Sequence, residues 1–170
     1  SVRIRMRSDV PVGVCLSGGL DSTAIICAAA RQRGETAAGQ SESLQAFCYM
    51  AKEFDESKYI TDTLTQTRAQ LRQLETSPAE LWSDLRQLLW FQDEPVHTMT
   101  AVVGYQLMRL AASNGIRVVL NGQGADETIG GYSSYFQDYW VSLLRQGRVR
   151  EAWQAVTGYT EAHGGNSRQR

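Results

Sequence analysis

One apolar segment that ends in a pair of glycines constrains this chain more than any other feature. Residues 10–16 are apolar, residues 17–22 read SGGLDS, and residues 21–33 are rich in alanine and isoleucine. An apolar run that ends in a tight turn before a helical pattern indicates a buried strand followed by a helix. The sequence therefore predicts a βα unit with its turn at the carboxyl end of the strand.

The rest of the chain repeats this alternation of strands and helices. Asp55 is expected to cap one helix, and Ser77, Pro78 and Glu80 have the spacing of a capping box with proline in the first turn. Alternating strands and helices predict an α/β, Rossmann-like fold, in which a parallel sheet of four or five strands has helices on both faces. We expect a single domain over 1–170, with a helical part at 133–170. Further strands are predicted at 44–50, 70–74 and 116–120, and further helices at 55–67, 77–91, 98–113, 135–145 and 149–163.

Composition excludes several classes of protein. The 170 residues carry 17 basic and 18 acidic side chains, a net charge of −1, which argues against binding nucleic acid or an anionic membrane through bulk charge. No apolar run approaches the ~20 residues that span a bilayer. Cys15, Cys27 and Cys48 have no metal-ligand spacing and lie among apolar residues, so we expect reduced core cysteines and a cytoplasmic protein.

The SGGLDS turn has the features of a phosphate-binding loop. Gly18 and Gly19 allow the backbone to approach an anion closely, and Ser17 and Ser22 add hydroxyl donors. Asp21 would repel phosphate unless a divalent cation lay between them, so the motif predicts Mg²⁺. The alternative is a plain βα turn in which Asp21 only caps the helix. The sequence contains neither a Walker P-loop nor a dinucleotide-binding fingerprint.

A second glycine-rich segment follows the predicted strand at 116–120. Residues 121–127 read NGQGADE, and they include Gly122, Asp126 and Glu127. If the first and fourth strands are neighbours, Asp21 and Asp126 can share one magnesium ion with pyrophosphate. The alternative is a surface turn with solvated acids.

These segments together resemble a known family. The string SDVPVGVCLSGGLDS at 8–22 resembles the PP-loop of the ATP pyrophosphatases and, more narrowly, the start of the synthetase domain of glutamine-hydrolysing asparagine synthetases. The segment NGQGADETIGGY at 121–132 is similar to the SGxGADE…GGY segment of those enzymes, and residues 53–56 and 93–95 add weaker matches. The resemblance covers about residues 2–132, matches the last forty residues only loosely, and suggests a fragment of a longer chain.

The resemblance implies an adenine nucleotide alpha hydrolase-like fold that uses ATP and Mg²⁺. It implies that an acid, taken to be aspartate, forms an acyl-adenylate and pyrophosphate, and that ammonia then displaces AMP. In relatives the ammonia comes from an N-terminal glutaminase domain that is missing here, so the fragment alone is expected to turn over poorly; the parent protein could be a homodimer. The resemblance implies that the β and γ phosphates are bound through Mg²⁺ by Ser17, Gly18, Gly19, Asp21 and Ser22. It implies that Leu16, Tyr49 and Gly122 frame the adenine. It also implies that Asp126 is a second magnesium ligand and that Glu127 supports the loop or the phosphates.

Gln123 departs from the family pattern. Many relatives carry a glutamate there, suited to accept a proton from the attacking amine, whereas a glutamine side chain hydrogen-bonds but is no general base. Two alternatives therefore stay open: the same chemistry on another carboxylic acid, including closure of a lactam ring, and a nucleotide-binding regulatory module without turnover.

Other chemistry-bearing side chains have plainer interpretations. His97 is interpreted as a cap or a partly exposed histidine. Trp82, Trp90 and Phe91 recur at helical spacing, which is typical of core residues. The aromatic residues at 132–140 are expected to be exposed in this chain and to pack on a missing neighbour.

Overall fold

The computed structural model describes residues 1–36, 43–50 and 56–163. The chain divides into two compact units, one over Ser1–Gly122 and one that begins at Gln123. The first unit contains α1 (Val2–Arg5), β1 (Val12–Cys15), α2 (Leu20–Thr36), β2 (Gln45–Tyr49), α3 (Ser57–Thr67), β3 (Gln70–Leu74), α4 (Pro78–Gln92), α5 (Thr100–Ser113) and β4 (Val118–Leu120). The second contains α6 (Ala125–Ile129), α7 (Ser133–Arg145) and α8 (Val149–His163).

The four strands of the first unit form one parallel sheet in the order β3-β2-β1-β4. Val14 of β1 pairs with Ala46 of β2 on one side and with Leu120 of β4 on the other. The first and fourth strands are therefore neighbours, and the turns that follow them leave the same edge of the sheet. The prediction of an α/β, Rossmann-like fold with a parallel sheet is confirmed.

Helices cover both faces of this sheet. Val14 and Ala46 point to one face, where they join Ile26 and Ala29 of α2 in the larger core cluster. Phe47 points to the other face and packs with residues of α5 and the turn before β4. Because successive side chains of a strand alternate between faces, one short strand contributes to both clusters. A Cβ at Gly13 would lie 2.7 Å from the Phe47 ring, so the glycine of β1 makes room for this fully buried side chain.

The second unit is built around a helical hairpin. Leu143 of α7 and Ala152 of α8 are its buried aliphatic residues. The ring of Tyr159 lies 4.8 Å from that of Phe136 and 5.3 Å from that of Trp140, between ring centroids. Gly147, with a φ of 71°, ends the first helix of the hairpin, in a conformation that glycine adopts without strain. Of the aromatic residues expected to be exposed, Tyr132, Tyr135, Phe136 and Tyr139 are exposed, whereas Trp140 is partly buried against Tyr159. Trp153 of α8 is exposed as well.

The structure corrects several expectations. Trp82, Trp90 and Phe91 are between 65% and 80% exposed and do not belong to the core, because the buried face of α4 carries Leu88 instead. Helix α2 continues through Gly34 to Thr36, beyond the predicted helical pattern at 21–33.

Smaller expectations also change. Cys48 is buried, whereas Cys15 and Cys27 are only partly buried; all three are free thiols. The cap predicted at Asp55 lies outside the described residues. Among the described helices, none is long and apolar enough for a membrane span.

Candidate functional site

The turn after β1 depends on the backbone freedom of Gly18. This residue has a φ of 88°, a left-handed conformation that side chains rarely tolerate. A Cβ there would also lie 2.8 Å from the Cβ of Glu56 and 3.0 Å from its Oε2 atom. Gly18 therefore fulfils two requirements at once: it turns the chain, and it lets Glu56 lie directly against the loop.

A network of serine hydroxyls holds this loop in shape. The buried Ser22 hydroxyl donates to the carbonyl of Gly19 at 3.1 Å and accepts from the amide of Ser17 at 3.2 Å. The two serine oxygens are 3.0 Å apart, and Ser17 Oγ accepts from the amide of Gly19 at 3.3 Å. Because the Ser22 proton goes to Gly19, the Ser17 hydroxyl donates to Ser22. Two loop amides and both hydroxyls, expected as outward-facing donors, thus serve to organise the turn.

The turn after β4 reaches this loop within the first unit. A Cβ at Gly122 would lie 3.0 Å from the Cβ of Asp21 and 3.1 Å from the backbone nitrogen of Ser22. Only a glycine allows so close an approach of one chain segment to the start of α2. Asp21, in the first turn of α2, is partly buried beside it. The structure therefore brings together Gly122 and the SGGLDS loop; the sharing of one ion by Asp21 and Asp126 stays a prediction.

The residues expected to frame adenine lie at the ends of β1 and β2. Leu16 is buried, and its amide donates to the carbonyl of Phe47 at 2.8 Å, so that amide is not available to a ligand. Tyr49 is the last residue of β2 and is 36% exposed. Gly122 is partly buried at the end of β4. Any contact of Leu16 with adenine would have to use a group other than its amide.

The acidic residues of the second motif lie in the second unit, in the short helix α6. This helix was not predicted from the sequence. Asp126 and Glu127 occupy its first turn, and Gln123, just before it, is exposed. A Cβ at Gly131 would collide with the Asp126 carboxylate, so a side chain there would force this acid to move. The Tyr132 hydroxyl donates to Glu127 Oε1 at 2.9 Å, and this bond to a carboxylate raises the pKa of Tyr132. The segment from Asp126 to Tyr132 is thus internally bonded.

Asp21 in the first unit and Asp126 in the second each carry a carboxylate, the type of ligand that Mg²⁺ takes. Within the ranges that the structure covers, no group of three or more His, Cys, Asp or Glu side chains is preassembled for a metal ion. Mg²⁺ is commonly held by one or two protein carboxylates together with substrate phosphates and water. The chemistry of Asp21 and Asp126 fits such an ion.

Two residues of the site were missed by sequence reasoning. Glu56 belonged to a weakly matching segment but received no role, although an acid shortly after the second strand of a parallel sheet is a usable signal. Tyr132 was noted only for its exposure, and its bond to Glu127 depends on the turn at Gly130 and Gly131.

These features define an α/β protein with a PP-loop at the end of its first strand. The family model described as asparagine synthase matches residues 1–169, and the chain belongs to that family. Its relatives include asparagine synthetase [glutamine-hydrolyzing] 1 of Bacillus subtilis, 33% identical over 79% of this chain and 20% of that protein. The asparagine synthetase [glutamine-hydrolyzing] of Zea mays is 30% identical over 75% of this chain and 22% of its own length.

A relative with a different name also aligns. Amidase chry2 of Gibberella zeae is 27% identical over 96% of this chain and 25% of its own length. This chain thus spans no more than a quarter of the length of these three relatives.

Proposed function

We propose that the protein containing this chain is an ATP-dependent ligase that forms amides from carboxylic acids. The observation that carries the proposal is the contact between Gly122 and Asp21, which joins the SGGLDS loop to the turn after β4 at one edge of a parallel sheet. In open parallel sheets, ligands bind in the crevice beyond the carboxyl ends of the strands. The family membership of the chain supports the same reaction class.

In this proposal the SGGLDS loop binds the β and γ phosphates of ATP. The start of α2 offers backbone amides and the positive end of a helix dipole, and Gly19 adds no side chain of its own to the loop. The serine network holds the loop in place before the nucleotide arrives, which lowers the entropic cost of binding. Leu16, Tyr49 and Gly122 frame the adenine largely through backbone groups, Leu16 through a group other than its bonded amide.

Asp21 and Asp126 would hold Mg²⁺ in this proposal. When bound, the ion neutralises charge on the phosphates and on the departing pyrophosphate. Glu127, kept in place by Tyr132, supports the turn that carries Asp126. The chain's own contribution is positioning and charge complementarity for nucleotide and acid.

The proposed reaction has two steps. A carboxylate oxygen of the acid, aspartate in our first assignment, attacks the α-phosphorus of ATP, and the bond to pyrophosphate breaks. Ammonia then attacks the acyl carbon, AMP leaves with the electron pair of the broken bond, and the amine loses a proton. We propose that the ammonia comes from glutamine through a glutaminase domain elsewhere in the protein, and that the protein acts in the cytoplasm as its free thiols favour.

A second candidate function keeps this chemistry but changes the acid. Gln123 is exposed just before α6 and offers an amide where a general base is expected. The relative named an amidase aligns over 96% of the chain, which favours considering acids other than aspartate, including internal ones that would close a lactam.

Product identity tests the proposal. The full-length protein is given Mg-ATP, ammonia and aspartate, then other carboxylic acids, and nucleotide products are separated by chromatography. AMP and pyrophosphate with aspartate support asparagine formation, and the same products only with another acid support the second candidate. ADP and phosphate would contradict both. The Asp21→Asn variant is the control, because it should lose AMP formation.

Binding without turnover has its own signature. A regulatory module would bind ATP equally well in the wild type and in Asp21→Asn and would form no AMP with any acid. The 170-residue chain alone is expected to bind ATP yet produce little AMP; robust glutamine-dependent synthesis by it would contradict that expectation.

A further inference from the structure

Glu56 is an exposed acid that lies against the phosphate loop but was assigned no role above. Its side chain lies over Gly18, where a Cβ would be 2.8 Å from the Cβ of Glu56 and 3.0 Å from its Oε2 atom. Although Glu56 occupies the N-cap position of α3, its side chain makes no capping hydrogen bond. The carboxylate is therefore not used to complete the helix.

Two observations bear on the position of Glu56. It lies against Gly18, in the loop after β1 that is expected to bind phosphate. Its negative charge also adds to the effect of burial in raising the pKa of Cys48, next to Tyr49 at the end of β2, to about 11. Glu56 also lies directly before α3, the helix that follows β2, and adenine is expected at the end of β2. In ATP the group between adenine and the phosphates is the ribose.

A carboxylate at this position is chemically better suited to bind the ribose of ATP than its phosphates. Two carboxylate oxygens accept hydrogen bonds and donate none, which suits the two neighbouring hydroxyls of a ribose. Facing phosphate oxygens with no cation between them, the same charge would be repulsive. An acid beyond the second strand that contacts the ribose is also a recurrent arrangement in parallel nucleotide-binding sheets.

We propose that Glu56 accepts hydrogen bonds from the ribose hydroxyls of ATP and makes the site selective for ribonucleotides. The proposal rests on the proposed function, because it needs ATP at the SGGLDS loop. Gly18 takes part by having no side chain: any larger residue would displace Glu56 from the loop.

Calorimetric titration of the full-length protein tests this assignment. Mg-ATP is compared with Mg-2′-deoxy-ATP and Mg-2′,3′-dideoxy-ATP, first in the wild type. The wild type should bind ATP about ten-fold or more tightly than the dideoxy nucleotide, the size expected for hydrogen bonds to a charged acceptor. Glu56→Ala should bring this ratio to about one by weakening ATP alone, and Glu56→Gln, which keeps one acceptor oxygen, should fall between.

The control is Asp62→Asn, which neutralises an exposed acid on the same helix α3 and should keep the wild-type ratio. A wild type that binds ATP and dideoxy-ATP equally would overturn the inference and leave the proposed function standing, without reliance on any variant. Equal weakening of both nucleotides in Glu56→Ala would also overturn it, since the acid would then act on phosphate, metal or fold. A wild type that binds no ATP would overturn the proposed function as well.

Discussion

At the scale of single residues, the conformation of the SGGLDS loop depends on Gly18 having no side chain. Gly18→Ala places a side chain at a φ of 88° and within 2.8 Å of Glu56 Cβ. We expect the free energy of unfolding to fall by about 1–3 kcal/mol, because left-handed strain and a close contact add. We also expect Mg-ATP affinity to fall at least ten-fold, roughly a 1.4 kcal/mol loss. Urea denaturation and calorimetry measure the two effects.

Gly104→Ala is the matched control for this change. Gly104 lies in the middle of α5 in the same unit, and a Cβ there would meet no atom within 4 Å. Alanine should raise stability there by about 0.5–1 kcal/mol, since it is the better helix former. Equal stability of Gly18→Ala and wild type would contradict the strain at the loop.

The thiols of Cys15 and Cys48 should be slow to react at neutral pH. Burial raises the pKa of each from 9.0 to about 11, and Glu56 adds to the shift of Cys48. The thiolate is the reactive form, so alkylation at pH 8 should be about a hundred-fold slower than in the unfolded chain and should accelerate up to pH 11. Site-resolved mass spectrometry after iodoacetamide treatment, with and without urea, measures both rates.

The same rise in the pKa of both thiols determines how stability changes with pH. Because folding raises these pKa values, the folded chain keeps its thiol protons between pH 9 and 11 where the unfolded chain loses them. The contribution to the free energy of unfolding is complete below pH 9 and is lost as the pH rises toward 11. Equal alkylation rates in folded and unfolded chain at pH 8 would contradict the burial of both thiols.

At the scale of elements, the start of α4 has a complete capping box. Ser77 Oγ accepts from the amide of Glu80 at 3.3 Å, and Glu80 Oε2 accepts from the amide of Ser77 at 2.7 Å. The Ser77 hydroxyl also donates to Glu80 Oε2 at 2.7 Å, and this bond, followed by the one from the Ser77 amide, lowers the pKa of Glu80. Ser77→Ala should reduce the free energy of unfolding by about 1 kcal/mol, because one orphan helix amide loses its acceptor. Urea denaturation measures this loss.

Ser83→Ala provides the comparison in the next turn of the same helix. The Ser83 hydroxyl only donates to the carbonyl of Glu80, and the residue is exposed. Its replacement should change stability by less than about 0.5 kcal/mol. A loss as large as that of Ser77→Ala would show that the effect is general to the helix and not a property of the cap.

Elements with local signals were predictable from the sequence. The capping residues mark the start of α4, and β3 and α8 have the predicted bounds of 70–74 and 149–163. Helix α6 was missed because five residues between Gly124 and Gly130 are too few to show a helical period. Trp82 and Trp90 were misplaced because helical spacing identifies a face but does not tell which face the rest of the chain covers.

The site was predictable as far as its motifs were contiguous. The alternation of elements predicted a parallel sheet, but the adjacency of β1 and β4, which brings Gly122 to Asp21, was only a condition of the sequence argument and is supplied by the structure. The contact of Glu56 with Gly18 was not predictable, because it joins segments distant in sequence through tertiary packing. The serine network was also missed, since hydroxyls expected to face a ligand turned out to face each other.

At the scale of the whole molecule, the expected magnesium acids belong to different compact units. Asp21 lies in the unit over Ser1–Gly122, and Asp126 lies in the unit that begins at Gln123. If both hold one ion in the nucleotide complex, removing either carboxylate weakens the same interaction. Asp21→Asn and Asp126→Asn should each lower ATP affinity in the presence of magnesium. The loss of ATP-binding free energy in the double variant should be smaller than the sum of the two single losses. The difference should be about 1 kcal/mol or more, because the ion is lost only once.

Titrations of ATP at several magnesium concentrations measure this coupling in the full-length protein. Asp62→Asn and Asp138→Asn, which neutralise an exposed acid in each unit, should leave the affinity unchanged and should add without coupling. Strictly additive losses for Asp21 and Asp126 would mean that the two carboxylates act separately. The nucleotide site would then need only the first unit, and the second motif would serve the acid or the fold of its own helices.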